Sequence, residues 1–545
     1  MTIKIPKWLL LCITSLFLSQ GATISDSVFE YAKNLEIFGK LYTELSTNYV
    51  DEIEPGKLMK TGIDAMLKSL DPYTVYFSEY QAEEALMDRQ GQYGGVGCRT
   101  NTRNGYPEII EIMEGYAFDK AGIKLGDIIT HFNNIDLKDK TSDEIMMLMR
   151  GAPNTSFQIT FKRQGNSMVK QITRMVIKTN SVTFSQLLKN DIAYVKLEEF
   201  NQGASAEIEK GLKEMMKKAS LRGVILDLRD NGGGLLNEAV QIVGLFVGEN
   251  KLVVSLNGQN PQGPKQWITP NKAILPNTPL IVLINERSAS ASEVVSGSLQ
   301  DLDRAVIMGQ NSFGKGLVQN YISLPYRTQM KITTAKYYTP SGRCIQRLNY
   351  DEKDATGKAT VKSQEQKRVF NTKNGRKVFE AGGIDPDVLT DPFKGSEISK
   401  WLDKHLIIFD FANKLYFSSP SDTLNFTITQ SQINEFVDFA TNKTIQILNE
   451  AWSKQMSTDS KIPTIIATLT PFNNPATINK IKTEITSAKP TIEYKLKLEM
   501  MQRKLSRQSF ISKSLSIDSE LDKATNLILN SADYNQILSP SAIKK

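Results

Sequence analysis

Histidine is nearly absent: the 545 residues contain only His131 and His405. Every imidazole role would fall on these two. A Ser-His-Asp triad needs one of them beside a nucleophile, and a zinc-binding helix needs a pair at helical spacing, which Phe132 to Ile135 after His131 do not supply. Cysteine is as scarce. Cys12, Cys98 and Cys344 form no Cys-x-x-Cys pair, which excludes a zinc ribbon and a disulfide scaffold. An excess of one charge is lacking too: 66 Lys and Arg stand against 59 Asp and Glu, a net +7, too thin for a nucleic-acid surface. No apolar run approaches the ~20 residues that span a bilayer. What is present is a globular composition, 40% hydrophobic and 23% charged, in a length that divides into roughly three to five domains.

Lys4 and Lys7 precede the apolar residues 8–18, and the small residues Ser19, Gly21 and Ala22 follow. This is the pattern of a secretory signal peptide over residues 1–21. Its removal takes Cys12 with it and leaves an exported chain, with no membrane span after cleavage, in a periplasm-like space, soluble or peripherally membrane-associated. Four regions follow. Residues 22–91 read as helical, with Phe29, Leu35, Phe38, Leu41, Tyr42 and Leu45 at largely three- and four-residue steps and a break at Asp71-Pro72. Residues 92–178 read as short strands with one helix. Residues 179–395 alternate strand and helix in the α/β manner: strands at 192–197, 223–228, 280–284 and 305–308, helices at 204–218, 236–246 and 291–302. Residues 396–545 are amphipathic helices without a chemical motif, an accessory domain and the candidate site of a homodimer or adaptor contact.

Three motifs compete for the chemistry. Gly309 to Gly316 nearly spells a P-loop, but Gly316 stands where a magnesium-binding hydroxyl is required. Ser312-x-x-Lys315 with Lys60-Thr61-Gly62 matches the penicillin-recognising enzymes in the wrong chain order. The third pairs Ser288-Ala-Ser-Ala-Ser-Glu293 with the glycine-flanked Lys315 in Phe313-Gly-Lys-Gly-Leu-Val-Gln319. Ser290-x-x-Glu293 is also a capping box. A cap accounts for one serine, not three, and leaves Lys315 unexplained.

Residues 92–178 carry, in order, the glycine loop Tyr93-Gly94-Gly95-Val96-Gly97-Cys98, the turn Ala121-Gly122-x-x-x-Gly126-Asp127, and a helix opened by Thr141-Ser142-Asp143-Glu144 and running to Met149. This resembles a PDZ domain. The resemblance implies a carboxylate-binding loop at Gly95, Val96, Gly97 and Cys98, whose amides form an anion nest. It also implies a strand edge for β-augmentation and a tail pocket at Ile145, Leu148 and Met149. The alternative for those three is plain core.

Four further segments extend the likeness: Asp227-Leu-Arg-Asp-Asn-Gly-Gly-Gly234, the Ser-Ala-Ser-Ala-Ser-Glu run, Phe313 to Gln319, and Thr334-Ala-Lys-Tyr-Tyr-Thr-Pro-Ser-Gly342 with Gly383-Ile-Asp-Pro-Asp-Val388 behind it. Together they resemble the C-terminal processing, or tail-specific, serine peptidases over about residues 29–392. The resemblance implies a multidomain α/β protein: a crotonase-like α/β catalytic core, an inserted or preceding PDZ domain, and helical N- and C-terminal regions. It makes Ser290 the nucleophile, Lys315 the general base 25 residues beyond it, and Gln319 the group that orients the lysine. It also implies an oxyanion hole from the amides of Gly233 and Ala291. No metal or cofactor is implied, and the partners are proteins with accessible C-terminal tails. An ordinary lysine pKa is about 10.4, so a lysine base must be desolvated to work at neutral pH. Two residues depart from the family pattern: Gly232 replaces a proline and Cys344 a serine. A silent peptide- or lipid-binding relative and a PDZ scaffold are the rival classes, and neither needs the Ser290, Lys315 and Gln319 set.

Overall fold

Alternate residues along the strand Ile192–Leu197 are buried against different neighbours. Ala193, Val195 and Leu197 belong to one apolar cluster, Ile192 and Tyr194 to another. A strand covered on both faces is apolar where both faces are packed, which is why 192–195, 224–226 and 280–284 read as unbroken hydrophobic runs. The computed structural model describes residues 22–89, 91–259, 263–353, 359–361, 367–390, 397–418, 427–453 and 474–540; the signal segment 1–21 lies outside them.

These strands lie in a six-stranded sheet in the order Val182–Leu188, Ile192–Leu197, Gly223–Asp227, Leu280–Ile284, Val306–Gly309, Val388–Leu389. The first pair is antiparallel and the rest are parallel. The helices Ala204–Met216, Leu236–Val247 and Ala291–Asp301 supply the cluster on one face. The other face is covered by the last helices of the chain, Arg507–Leu515, Ser519–Leu529 and Ser531–Ile537, through Ile511, Leu515, Leu521, Ala524, Ile528 and Tyr534. The C-terminal region therefore has two parts. Residues between Glu397 and Lys504 build their own core around Phe411, Phe436, Ile481 and Leu496, whereas the final three helices complete the α/β layer structure.

Within the same compact unit, a sheet in the order Cys98–Arg103, Tyr106–Ile112, Ile128–Phe132, Ser156–Arg163, Asn166–Thr173 carries the helix Ser142–Met149. Thr141 Oγ1 accepts from Glu144 N, and the Glu144 carboxylate accepts from Thr141 N at 2.8 Å, a capping box at the helix start that the sequence places there. The Gln92–Gly95 strand pairs with Met175–Lys178. This domain meets the helical region through charge. Arg103 Nε lies 3.0 Å from Glu108 Oε2, and Arg103 Nη1 donates to Asp410 Oδ1 at 2.5 Å. Burial pushes the Glu108 carboxyl from its ordinary 4.5 up to about 7, against the pull of Arg103; burial raises Asp410 as well. A carboxyl with a raised folded-state pKa holds its proton more tightly folded than unfolded, so its contribution to stability is lost as pH rises from about 4.5 to 7. The thermal midpoint should fall across that window, and Glu108→Gln should reduce the fall by about 2–4 °C. A slope unchanged in Glu108→Gln would remove this group from the account.

Of the described residues, 22–79 and 319–333 form a second compact unit. Its helix Pro55–Lys68 starts with proline at the first turn, where no amide bond is forfeited. Beyond its end, Asp71 Oδ1 accepts from the amides of Tyr73 and Thr74 at 2.7 and 2.8 Å. Val75–Phe77 pairs antiparallel with Gln329 to Lys331. The helix Ala22–Asn48 leaves Phe29, Leu35, Phe38, Leu41 and Leu45 exposed. No helix among the described residues is long and apolar enough to cross a membrane.

Candidate active site

The strand Leu280–Ile284 ends at the sheet's C-terminal edge, where α/β proteins place their sites, and the chain turns through Ser290 into the helix Ala291–Asp301. Ser290 has φ 56° and ψ −114°. A non-glycine residue there is strained, typically by ~1–3 kcal/mol, and such strain gathers at functional turns. Residues 285–289 lie between the strand and Ser290, and the helix N-terminus follows directly behind the serine.

The strain is held by Glu293. Its carboxylate is fully buried and receives four donors: Ser290 N at 2.8 Å and Lys315 N at 2.9 Å on Oε2, Gly314 N at 2.7 Å and Ser312 Oγ at 2.5 Å on Oε1. Burial raises its pKa while those four hydrogen bonds pull it down, and burial prevails. One side chain therefore fastens the serine turn to the lysine loop. Ser312 Oγ in turn accepts from Ile384 N at 2.6 Å, which ties in the Gly383-Ile-Asp-Pro motif. Buried Tyr337 makes a second clasp: its hydroxyl donates to the Lys315 carbonyl and lies 3.2 Å from the Ser290 carbonyl oxygen. The Lys315 side chain is half-buried.

Gly233 lies against this turn. A Cβ there would come within 2.8 Å of Ser290 Cβ and 2.9 Å of Ala291 N, at φ +103°, so only glycine permits the approach. The N–H of Gly233 donates to Asn231 Oδ1 at 2.8 Å, whereas among the described residues the Ala291 N–H, at the helix start, has no partner. Asn231 is itself a hub: its carbonyl accepts from Ala289 N and Ser292 Oγ at 3.0 and 2.9 Å. A Cβ at Gly232 would meet nothing within 4 Å, so the departure from proline there answers no steric need.

Gln319 lies four residues beyond Lys315 on the strand Leu317–Ser323, within the second compact unit, and its Nε2 donates to Thr333 Oγ1 at 3.2 Å. Neither histidine enters the site: His131 is on the strand Ile128–Phe132 beside Thr130, and His405 lies tilted against the Trp401 ring. Glu293 is visible in the sequence only as a cap, and Tyr337 only as part of a longer motif. Their bridging roles depend on contacts that no local pattern encodes.

In the PDZ-like sheet, the carbonyls of Val96 and Gly97 accept from Phe118 N and Met113 N at 3.0 and 2.9 Å, fixing the loop of Gly95, Val96, Gly97 and Cys98. Burial pushes the Cys98 thiol up to about 12, which leaves it inert. Cys98–Arg103 is the terminal strand of the sheet order. The expected tail pocket divides: Ile145 and Met149 are 2% and 5% exposed and belong to the domain core, because the i, i+4 face of the capped helix turns inward. Only Leu148 of the three is half-buried at the margin.

Residues 191–353 match the profile of peptidase family S41, residues 108–163 a PDZ domain, and residues 398–528 the probable PDZ-protease C-terminal helical domain. The carboxy-terminal-processing protease of Bartonella bacilliformis is 33% identical over 334 residues, 60% of this chain and 76% of that protein. A probable CtpA-like serine protease of Staphylococcus aureus is 30% identical over 437 residues, 79% and 85% of the two chains. Among solved structures, the photosystem II D1 C-terminal processing protease is 25% identical with a TM-score of 0.37, covering 66% of this chain and 93% of that one.

Proposed function

As the chain belongs to the carboxy-terminal-processing serine proteases of peptidase family S41, with a PDZ domain, we propose that it is an exported endopeptidase working by Ser290 and Lys315. One observation carries the reading: the buried carboxylate of Glu293 takes the backbone amides of both Ser290 and Lys315, so the two residues that the family motif selects share one anchor.

The chemistry balances without a cofactor. Uncharged Lys315 Nζ takes the proton of Ser290 Oγ as Oγ bonds to the scissile carbonyl carbon, and negative charge moves to the carbonyl oxygen. The Ala291 N–H at the helix N-terminus receives that charge. Gly233 supplies the second amide once Asn231 Oδ1 gives it up; such a donor is typically worth ~3 kcal/mol in the transition state. The lysine ammonium then protonates the leaving amine, an ester remains on Ser290, and water attacks it with Lys315 again as base. The family motif assigns the orienting of the lysine to Gln319. The PDZ domain captures the substrate's C-terminal carboxylate on the amides of Gly95, Val96, Gly97 and Cys98 and extends its sheet from the Cys98–Arg103 edge. Leu148, with Ile145 and Met149 behind it, meets the last apolar side chain.

Incubation of the purified chain with a denatured protein ending in an apolar tail should give cleavage that Ser290→Ala abolishes and that amidation of the tail's carboxylate slows about tenfold or more. Tail binding without cleavage, equal in wild type and Ser290→Ala, would instead make it a binding protein on a peptidase fold.

A further inference from the structure

The segment that carries Gly233 begins at a charge cluster reaching to the far end of the chain. Asp227, at the end of the strand Gly223–Asp227, is fully buried and accepts from Tyr194 Oη at 2.7 Å, Arg229 N at 2.9 Å, and Arg229 Nε and Nη2 at 3.0 and 2.6 Å. Lys196 Nζ lies 3.7 Å away. The Arg229 fork does not stop there. Nη2 also donates to Asp518 Oδ2 at 2.7 Å and Nη1 to Glu520 Oε2 at 2.8 Å. Asp518 caps the helix Ser519–Leu529, and Glu520 Oε1 accepts from Thr390 Oγ1, whose own amide is bound to the Gly309 carbonyl.

From Arg229 the path to the serine is short. Asp230 stands at φ 67° and exchanges hydrogen bonds with Asn285 at 3.0 and 2.8 Å; Asn231 then holds Ala289 and Ser292 on its carbonyl and Gly233 on its side chain. A planar guanidinium satisfied by three carboxylates fixes the stem of this loop in direction as well as position, which a lysine point charge cannot do.

We propose that Arg229 is a positioning residue for the reaction: through Asp518 and Glu520 it makes the docked C-terminal helix the support that aligns the 230–234 loop against Ser290. The inference rests on the Ser290 and Lys315 reading above. It gives the last helices a part in transition-state stabilisation beyond covering the sheet.

The test compares Arg229→Ala, Arg229→Lys and the double variant Asp518→Asn with Glu520→Gln, in the full chain. Asparagine still caps a helix and glutamine still accepts from Thr390, so the double variant keeps those two contacts and loses both the charges and the acceptor oxygens that face Arg229. Steady-state cleavage of a short peptide, hydrogen exchange at Asn231 to Gly234, and thermal midpoints are read together. kcat should fall ~10- to 100-fold in all three with KM unchanged and exchange at 231–234 faster. Combining Arg229→Ala with the double variant should cost no more than either alone. Unchanged kcat, a loss confined to KM, or losses that multiply would overturn the proposal. A wild-type chain that cleaves nothing, or a Ser290→Ala chain as active as wild type, would sink the underlying peptidase reading instead.

Discussion

Ser290→Ala and Lys315→Ala should each lower kcat/KM by about four orders of magnitude or more, and the double variant should be no worse than either. Two groups that pass one proton act as a unit, so removing either removes the whole contribution; in subtilisin the loss of the serine or of the histidine alone costs roughly as much as the loss of the whole triad. The weak residual rate would come from the oxyanion amides and substrate binding. Stability separates the two variants. Ser290 stands at φ 56° and ψ −114°, so Ser290→Gly should be equally inactive yet more stable by about 1 kcal/mol, the strain being relieved. Lys315→Ala relieves none. Multiplying losses would show the two residues working independently and would separate the lysine from the serine's chemistry.

Glu293→Gln should be the next most damaging change although it touches no substrate. The carboxylate accepts four hydrogen bonds and donates none. An amide offers one oxygen and one NH2, so two of the four donors would face another donor inside the protein. Leaving a buried polar group unpaired costs ~1–3 kcal/mol. The loops so released carry the nucleophile and the lysine, and a displacement of about 1 Å at a reacting group costs on the order of 10²-fold in rate. kcat should therefore fall about 10²-fold, with a lowered thermal midpoint and unchanged tail affinity on the PDZ domain. Full activity in Glu293→Gln would mean that the serine turn and the lysine loop keep their places without the clasp.

Much of this architecture is legible in the sequence because the signals are local. The helix after Thr141 announces itself through Thr141 and Glu144 and is found with a capping box formed. The buried strands read as apolar runs with helices between them at 204–218 and 236–246, each helix within two residues of its observed bounds. The motif intervals single out Ser290 and Lys315. What the sequence hides is pairing over distance. An amphipathic pattern at 519–529 shows that one face is buried, not that it is buried on Ile225 and Ile281, so an accessory helical domain was the natural expectation for residues that finish the α/β layers. The contact of Arg229 with Asp518 spans 289 residues and leaves no periodic trace. Ile145 and Met149 show the converse: apolar residues on a helix suit a pocket or a core equally well, and packing alone assigns them to the core.

The most direct test of the dyad is covalent. Reaction with a peptidyl phosphonate, followed by peptide mass spectrometry, should place the adduct on Ser290, and Lys315→Ala should slow its formation by at least about 10³-fold at neutral pH while leaving the fold intact. An adduct on another serine, or one that forms on Ser290 at the same rate without Lys315, would contradict the account.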